Sequence, residues 1–342
     1  MVTENQSLKP FNSFGIDAHA RWFVRIQSPE HLKSLMQQPE FRTERKLILG
    51  EGSNILLRGD YDGLVIKNEL KGIETIAETE ERVTLRIQSG ENWHALVQKC
   101  VQLGYGGIEN LALIPGTCGA APIQNIGAYG VEIREVIQEV NGMELPTLRQ
   151  RTFSNAACGF GYRESVFKNA WKEKFFISSI TLTLTKKNHL LRTDYGAIGE
   201  YLQQRHIQQP TIKNVCDVVV AIRQSKLPDP RTLGNAGSFF KNPEITRAHY
   251  QTLQKNYGSV PGYATVNQNV KIPAAWLIEQ CGWKGKRVGH VGVHATQALV
   301  LVHYGGANGD EIFSFACTIM NSVKEKFDIA LTPEVNIIST SH

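Results

Sequence analysis

The amino-acid sequence predicts an α+β protein of several domains, on three observations. The chain has 342 residues, which is longer than one hydrophobic core usually spans, so two or three domains are expected. Short apolar strands and amphipathic helices both occur along it. They do not alternate regularly, which argues against a doubly wound parallel sheet and favours an α+β fold.

The predicted strands are short apolar runs bounded by turn residues. Residues 46–50, 54–57 and 63–67 are compact runs of this kind. Residues 83–88 alternate apolar and polar side chains, as in a strand with one buried face. A last strand is predicted over residues 334–338.

Three helices are predicted from apolar side chains that recur every three or four residues. The first begins after Asn92, a favourable N-cap, and Gly104 supplies its C-terminal stop. The second covers residues 212–223. The third covers residues 310–326 and has a continuous apolar face.

The composition is that of an ordinary globular protein. Hydrophobic residues make up 42% and charged residues 20%, so disorder is not indicated. The net charge is 37 − 32 = +5, without a basic run, so no nucleic-acid partner is predicted. No apolar stretch has the length of a membrane span and the first residues lack a signal-peptide pattern, so no membrane insertion is predicted.

The histidines and cysteines do not predict a metal site. His290 and His294 are four residues apart, but the intervening V-G-V reads as strand or turn. No two cysteines have C-x-x-C spacing, so we interpret most of them as buried thiols in a reducing compartment. The cysteines are Cys100, Cys118, Cys158, Cys216, Cys281 and Cys317.

The first glycine cluster, residues 50–55, follows an apolar strand directly. It begins like the dinucleotide motif G-x-G-x-x-G, but Ile55 replaces the third glycine and Leu56 and Leu57 continue as strand. The helix that would hold a pyrophosphate is therefore missing, and the Rossmann interpretation fails. Such a turn can still direct backbone N–H groups at an anion. An ordinary turn between strands is the alternative.

The second glycine cluster, residues 114–130, contains four glycines, two prolines and almost no charge. Long loops are usually polar. Small uncharged residues instead suit a chain that lies closely against a flat, partly polar cofactor, with Thr117, Gln124 and Asn125 offering neutral hydrogen bonds. A buried crossover between strands is the alternative.

These clusters and five further motifs carry a resemblance. The motifs are G-E-G-S-N, I-P-G-x-x-G-x-x-P-x-Q-N-I-G-A-Y-G, F-G-Y-R-E-S, R-Q-S-K-L-P-D-P, G-N-A-G-S-F-F-K-N-P, Q-A-L-V-L and P-E-V. In this order and over nearly the whole chain, the sequence resembles the UDP-N-acetylenolpyruvoylglucosamine reductase family, in its longer Tyr-loop subgroup. Members complete UDP-N-acetylmuramate in bacteria.

The resemblance implies a three-domain flavoprotein of the vanillyl-alcohol-oxidase type. Non-covalent FAD would lie between two α+β domains, subdomain 1 (1–70 plus 328–342) and subdomain 2 (71–225). A substrate-binding α+β domain (226–327) would cover the substrate. NADPH would reduce the flavin, which would pass a hydride to UDP-N-acetylglucosamine enolpyruvate. A cytoplasmic monomer is expected.

The residues that the resemblance assigns to FAD lie in the two glycine clusters and in two later motifs. They are Gly50, Glu51, Gly52, Ser53, Asn54, Ile55, Pro115, Gly116, Gly119, Ala120, Asn125, Ile126, Gly127, Tyr129, Tyr162 and Arg223.

The chemistry of the hydride transfer asks for a cation at the substrate carboxylate. When hydride reaches C3, negative charge builds at C2 and on the carboxylate, and one preorganised donor there is worth about 3–4 kcal/mol. Arg163 in G-Y-R-E-S is the candidate, because a guanidinium stays charged and can bond both carboxylate oxygens. A surface pair with Glu164 is the alternative. Glu334, in P-E-V, would assist the enol stage or orient the donor, with a strand-edge charge as the alternative.

Ser238, in G-N-A-G-S-F-F-K-N-P, is not expected to be a nucleophile. The G-x-S-x-G pattern is absent and no histidine lies nearby in the sequence. The resemblance implies instead that Ser238 donates a proton to C2. A hydroxyl can do this because an enolate is a strong base.

Substrate binding needs donors and cations for a diphosphate. Lys226 and Asn242 are the candidates, with Lys241 as a further one. Tyr195, in R-T-D-Y-G, matches the tyrosine that folds over the substrate in the subgroup. Gln297 is expected on the uridine or sugar side.

Two positions depart from the family pattern. Ala120-Ala121 replaces a serine pair, which removes hydroxyl bonds to FAD, and Asn336 replaces a residue that is often basic. Two other functions remain open: another FAD-dependent oxidoreductase of the same fold, and a non-catalytic UDP-sugar-binding protein. The motifs around Arg223 and Ser238 argue against the first. A silent binding protein would not need Arg163, Ser238 and Glu334 together.

Overall fold

A computed structural model describes residues 1–195, 197–265 and 267–340. Its helices are Pro29–Gln37 (α1), Pro39–Arg42 (α2), Trp93–Gln102 (α3), Ile198–Gln204 (α4), Ile212–Lys226 (α5), Arg247–Tyr257 (α6), Ala274–Gln280 (α7) and Gly309–Phe327 (α8). The longer strands are mostly antiparallel and the helices are irregularly interspersed, so the predicted α+β class is confirmed.

The strands complete the element order. They are Val2–Ser7 (β1), His19–Ile26 (β2), Lys46–Leu49 (β3), Ile55–Leu57 (β4), Tyr61–Asn68 (β5), Ile73–Glu78 (β6), Arg82–Gln88 (β7), Gly127–Ala128 (β8), Val131–Glu132 (β9), Ile137–Glu144 (β10), Gln150–Ser154 (β11), Phe175–Thr185 (β12), Glu244–Ile245 (β13), Tyr263–Ala264 (β14), Val270–Lys271 (β15), Arg287–Val288 (β16), Val291–Val293 (β17), Leu301–His303 (β18) and Asn336–Ile338 (β19).

The chain divides into two compact units. The first contains Met1–Gln6, Ala20–Glu51 and Asp62–Ser225, and the second contains Ser7–His19, Gly52–Tyr61 and Lys226–His342. The three-domain division expected from the sequence remains a prediction.

Two larger sheets and the short β8-β9 pair lie in the first unit. One has the strand order β1-β2-β5-β3, and the other is antiparallel with the order β11-β10-β12-β7-β6. In β7, Val83, Leu85 and Ile87 are at most 4% exposed, which confirms the face predicted from their alternation. Helices α3 and α5 pack their apolar faces into the same core.

The helix boundaries of the first unit follow local signals. The Asn92 side chain accepts a hydrogen bond from the Ala95 N–H at 2.8 Å and caps α3. Gly104 has a φ of +76° just beyond the helix, as its role as a stop requires. Helix α5 continues to Lys226, so Arg223 lies inside it rather than closing it.

The second unit is built from small sheets around α8. Asn308 and Glu311 form a reciprocal capping box at the start of α8. Strand β19 pairs in parallel with β4, with Asn336 opposite Ile55. The predicted strand 334–338 therefore begins two residues late, because the Glu334 N–H bonds to the Phe239 carbonyl at 2.7 Å instead of to β4.

Candidate active site

The first glycine cluster is a turn between strands, with no helix after it. β3 ends at Leu49 and β4 begins at Ile55, which confirms that the dinucleotide motif is absent. Gly52 has a φ of +65°, and a Cβ there would lie 1.9 Å from the Phe11 carbonyl oxygen. Only glycine fits such a position. Close packing of the second unit's own backbone therefore requires this glycine.

The second glycine cluster in the first unit is fastened to the start of α3. The Gly116 carbonyl accepts from the Trp93 N–H at 3.0 Å, and Thr117 pairs with Asn92. One Glu51 carboxylate oxygen accepts from the Gly116 N–H at 3.0 Å and the other from the Asn92 amide at 2.6 Å. Glu51 thus joins the predicted clusters through its side chain.

His94 and Arg223 both form hydrogen bonds to Leu113, the residue directly before the second glycine cluster. The Leu113 N–H donates to His94 Nδ1 at 2.9 Å, and the Leu113 carbonyl accepts from Arg223 Nε at 3.2 Å. Nδ1 must therefore carry no proton. Burial lowers the pKa of His94, and the nearby Arg223 lowers it further. Leu113 has a left-handed φ of +57°, which these bonds stabilise.

Arg163 lies on a tight hairpin turn that is hydrogen-bonded to the second glycine cluster. Gly161 and Glu164 exchange backbone hydrogen bonds at 3.0 and 3.3 Å across the turn. The Arg163 Nη2 donates to the Gly127 carbonyl, and the Asn125 amide donates to the Gly161 carbonyl, both at 3.0 Å. These reciprocal bonds fix the turn against residues 125–127.

Three predicted site residues in this region have a left-handed backbone. The φ angles are +43° at Asn125, +50° at Tyr129 and +57° at Arg163. Non-glycine residues adopt this conformation at a cost of order 1–3 kcal/mol. Residues outside the predicted site, such as Leu148 and Glu173, adopt it too, so these angles alone do not mark a functional site. No local sequence pattern predicts them.

Two cationic side chains interact in the same region. Burial lowers the pKa of Arg223, with Tyr129 opposing and Arg163 reinforcing the shift. Burial also raises the pKa of Tyr129, which keeps its hydroxyl protonated. Two guanidinium groups that repel each other are stabilised by an anion between or beside them.

In the second unit, the Ser238 segment runs between two other stretches of chain. The Phe239 N–H donates to the Leu299 carbonyl at 2.7 Å, and the Phe239 carbonyl accepts from the Glu334 N–H at 2.7 Å. Ser238 pairs with Val300 and is half-buried, while Phe239 is fully buried. The structure thus brings the backbones of Ser238 and Glu334 together.

The predicted substrate residues are spread over both units. Tyr195, in the first unit, is 57% exposed, and Gly196, the last residue of its motif, lies outside the described residues. In the second unit, the Lys226 carbonyl accepts from Thr296 at 3.3 Å, while its side chain is exposed. Asn242 Oδ1 accepts from the first N–H of α7, that of Ala274, at 2.9 Å, so this oxygen supports a helix. Gln297 is half-buried.

The two departures from the family pattern have structural roles. Asn336 donates to the Asn54 carbonyl through its backbone N–H at 3.1 Å and its side-chain amide at 3.0 Å. Ala121 is 2% exposed and packs in the first unit's core. Both positions stabilise the chain around the predicted clusters.

Sequence reasoning missed two residues that hold loops of the first unit together near the second glycine cluster, His94 and Asn110. The Asn110 amide donates to the Tyr129 carbonyl at 3.0 Å and to the Arg192 carbonyl at 2.8 Å. Each partner is distant in the sequence, so no local pattern marks these residues.

The residues present fit an FAD molecule. Asn110 Oδ1 and Ser13 Oγ are buried and have no hydrogen-bond partner among the described residues. Asn110 lies beside Tyr129, and the Ser13 N–H bonds to the Gly52 carbonyl at 3.0 Å. Buried orphan polar atoms of this kind require a ligand or water. Each of these two atoms lies near a predicted cofactor residue of its own unit.

Other chemistry is less well supported. No group of three or more His, Cys, Asp or Glu within residues 1–195, 197–265 and 267–340 is arranged to hold a metal ion. No helix in that part of the chain is both long and apolar enough to span a membrane. Burial raises the pKa of Cys100 and of Cys158 to about 12, which makes these thiols unreactive.

Comparisons with known proteins agree with this fold. Residues 20–147 match the family model described as FAD binding domain, and residues 229–338 match the C-terminal domain of UDP-N-acetylenolpyruvoylglucosamine reductase. A crystal structure of this reductase from Thermus caldophilus aligns over 98% of both chains with a TM-score of 0.67. At 19% identity, that alignment concerns the fold alone. The chain is an FAD-dependent oxidoreductase of the α+β flavoprotein fold.

Two curated relatives define the particular family. Both are named UDP-N-acetylenolpyruvoylglucosamine reductase. The one from Flavobacterium johnsoniae is 47% identical and the one from Amoebophilus asiaticus 48%, each over 98% of this chain and 99% of the relative. The chain belongs to the UDP-N-acetylenolpyruvoylglucosamine reductase family, as the sequence motifs predict.

Proposed function

We propose that the chain reduces UDP-N-acetylglucosamine enolpyruvate to UDP-N-acetylmuramate at the expense of NADPH, in the cytoplasmic synthesis of peptidoglycan precursors. The observation that carries the proposal is the pairing of the Phe239 backbone with Leu299 and Glu334 at 2.7 Å on each side. It supports the proposal because Ser238, the proposed proton donor, and Glu334 lie on adjacent stretches of one unit.

Bound FAD would supply the hydride that reaches C3 of the enolpyruvyl group. Arg163 would then stabilise the negative charge that develops on the substrate carboxylate, because its guanidinium can donate to both carboxylate oxygens. The hydrogen bond from Arg163 to Gly127 supports this role, because it limits reorganisation during the reaction.

Ser238 would donate its hydroxyl proton to C2, which becomes strongly basic once hydride has arrived. Glu334 would assist the enol stage or orient the serine hydroxyl. Both residues are half-buried, so water is partly excluded around them.

Lys226, Asn242, Gln297 and Tyr195 would bind the UDP-sugar. Lys226 supplies an exposed cation for the diphosphate. Tyr195 is exposed, and its aromatic side chain would bury apolar surface when it covers the ligand. The three-domain division and a monomeric state belong to the same proposal.

The test uses the purified protein with FAD under anaerobic conditions. NADPH should bleach the flavin absorbance, and the enolpyruvyl UDP-sugar should restore it, with a product two hydrogens heavier by mass spectrometry. Bleaching by NADPH without recovery would favour another FAD-dependent oxidoreductase. UDP-sugar binding by a protein that takes up no FAD would favour a non-catalytic binding protein.

A further inference from the structure

Asn110 is a buried polar residue at the crossing of two loops of the candidate site. It is 1% exposed and sits in the 3-10 turn Glu109–Leu111. The Trp93 indole N–H donates to the Leu111 carbonyl at 2.9 Å, which fixes this turn on α3. The turn that carries Asn110 is therefore held in place by α3.

The two N–H bonds of the Asn110 amide reach different loops. One goes to the Tyr129 carbonyl at 3.0 Å and the other to the Arg192 carbonyl at 2.8 Å. Carbonyl oxygens only accept, so the NH₂ end must face both of them, which fixes the amide orientation. Asn110 thus joins the second glycine cluster to the segment that leads to Tyr195.

Side chains of these two loops also contact each other, next to the Asn110 bonds. The Tyr129 and Tyr195 rings are edge to face, with centroids 6.5 Å apart at 89°. A Cβ on Gly130 would lie 3.5 Å from the Tyr195 Cβ, so Tyr195 lies close to this glycine of the cluster. Tyr195 as a whole is 57% exposed.

We propose that Asn110 is a positioning residue that holds the Tyr195 segment against the Tyr129 loop and so preorganises Tyr195 for the UDP-sugar. The inference rests on the proposed function for the identity of the ligand. A side chain that must reach a ligand binds it more tightly when its loop is already ordered, because less freedom is lost on binding. Asn110 supplies this order through two bonds to main-chain carbonyls.

Limited proteolysis of the FAD-loaded protein with trypsin tests the two Asn110 bonds without any assay of activity. Asn110→Leu has nearly the same shape but no donors. We expect cleavage after the exposed Arg192 to be at least about tenfold faster in this variant, since loss of the bond to the Arg192 carbonyl frees that segment. Cleavage after Lys213, on α5, should keep its parental rate. Parental cleavage after Arg192, or faster cleavage after both residues, would overturn the proposal.

A double-mutant cycle separates positioning from general support of the core. We expect Asn110→Leu to raise KM for the enolpyruvyl UDP-sugar about tenfold with kcat within about threefold. In a Tyr195→Ala background the same change should raise KM less than about twofold, because its effect passes through Tyr195. Independent, multiplicative effects would contradict the role. Asn110→Asp keeps the size of the side chain but replaces the amide nitrogen with an oxygen that faces both carbonyls. It provides a second variant if Asn110→Leu does not fold.

The two hypotheses fail in different ways. A parent protein that takes up FAD but is not reoxidised by the UDP-sugar contradicts the proposed function, and proteolysis still decides whether Asn110 holds residues 190–195. A parent that turns over normally while Asn110→Leu leaves proteolysis and KM unchanged contradicts only the positioning role.

Discussion

The carboxylate of Glu51 accepts a hydrogen bond from the backbone N–H of Gly116 at 3.0 Å, which links two glycine clusters that are far apart in the sequence. The second carboxylate oxygen accepts a hydrogen bond from the Asn92 side-chain amide at 2.6 Å. One side chain therefore sets the position of the second cluster relative to the start of α3.

Glu51→Ala removes both bonds and should weaken FAD binding. The Gly116 N–H loses its partner, and the loop that is predicted to contact FAD loses its anchor, at a cost of about 1–3 kcal/mol. We expect the Kd for FAD, measured by flavin fluorescence, to rise about tenfold or more. Glu40→Ala, at an exposed position of α2, is the control and should bind FAD like the parent. Equal affinities for the parent and Glu51→Ala would contradict the anchoring role.

Arg163→Lys should impair the second half-reaction selectively. Lysine keeps the charge but loses the forked geometry and the bond from Nη2 to Gly127. Removal of one preorganised donor costs on the order of 10²–10³ in rate. Stopped-flow absorbance should show a slower flavin reoxidation by the UDP-sugar, with reduction by NADPH within about twofold of the parent. A variant that reoxidises at the parental rate would remove Arg163 from the mechanism.

Ser238→Ala should also separate the half-reactions. The bonds of this segment to its neighbours go through Phe239 backbone atoms, so alanine should leave its path intact. Loss of a positioned proton donor costs about 10²–10⁴ in rate. We expect reoxidation to fall by this factor while reduction by NADPH persists, and Ser238→Cys to retain part of the rate. Equal loss of both half-reactions would indicate a structural serine.

Gly52→Ala should destabilise the protein before any ligand binds. A Cβ at Gly52 would lie 1.9 Å from the Phe11 carbonyl oxygen, whereas Gly15, with a similar φ of +69°, has no atom within 4 Å of such a Cβ. Gly15→Ala should therefore cost only the left-handed strain of about 1–2 kcal/mol. Urea unfolding of the apo protein should give a clearly larger loss for Gly52→Ala. Equal losses would show that the Phe11 backbone moves aside easily.

His94 should make stability fall on acidification. Its pKa is lowered, first by burial and then by Arg223, so below about pH 6.5 the unfolded chain binds more protons than the folded one. The free energy of unfolding therefore decreases as pH falls below 6.5 and levels off below the folded pKa. His94→Asn keeps an acceptor for the Leu113 N–H but does not titrate. Urea unfolding between about pH 7 and pH 5 should show a shallower decline for this variant, and parallel curves would contradict the assignment.

The parts of the fold that could be predicted are those with a local cause. Asn92 caps α3 through a bond to a residue three positions away, and Val83, Leu85 and Ile87 alternate in the sequence. Strand β12 is absent from the sequence prediction. Its second half, I-T-L-T-L-T, does alternate, but its first half, F-F-I-S-S, does not, because that half is buried on both faces.

The candidate site could be predicted in its residue types but not in its geometry. Arg163 was recognisable by its motif, yet its left-handed φ of +57° and its bond to Gly127 depend on residues distant in the sequence. Asn110 could not be predicted for the same reason. Its partners, Tyr129 and Arg192, are brought to it only by the tertiary fold.

The pairing of β19 with β4, Asn336 opposite Ile55, has a consequence for the order in which the protein is made. The first unit is complete in sequence at Ser225, whereas the second recruits segments from residue 7 onward and closes only with β19. On the ribosome, the first unit can therefore fold while Ser7–His19 and Gly52–Tyr61 still wait for their partners. We expect nascent chains released after residue 225 to protect α3 and β12 from proteolysis but to leave these two early segments accessible.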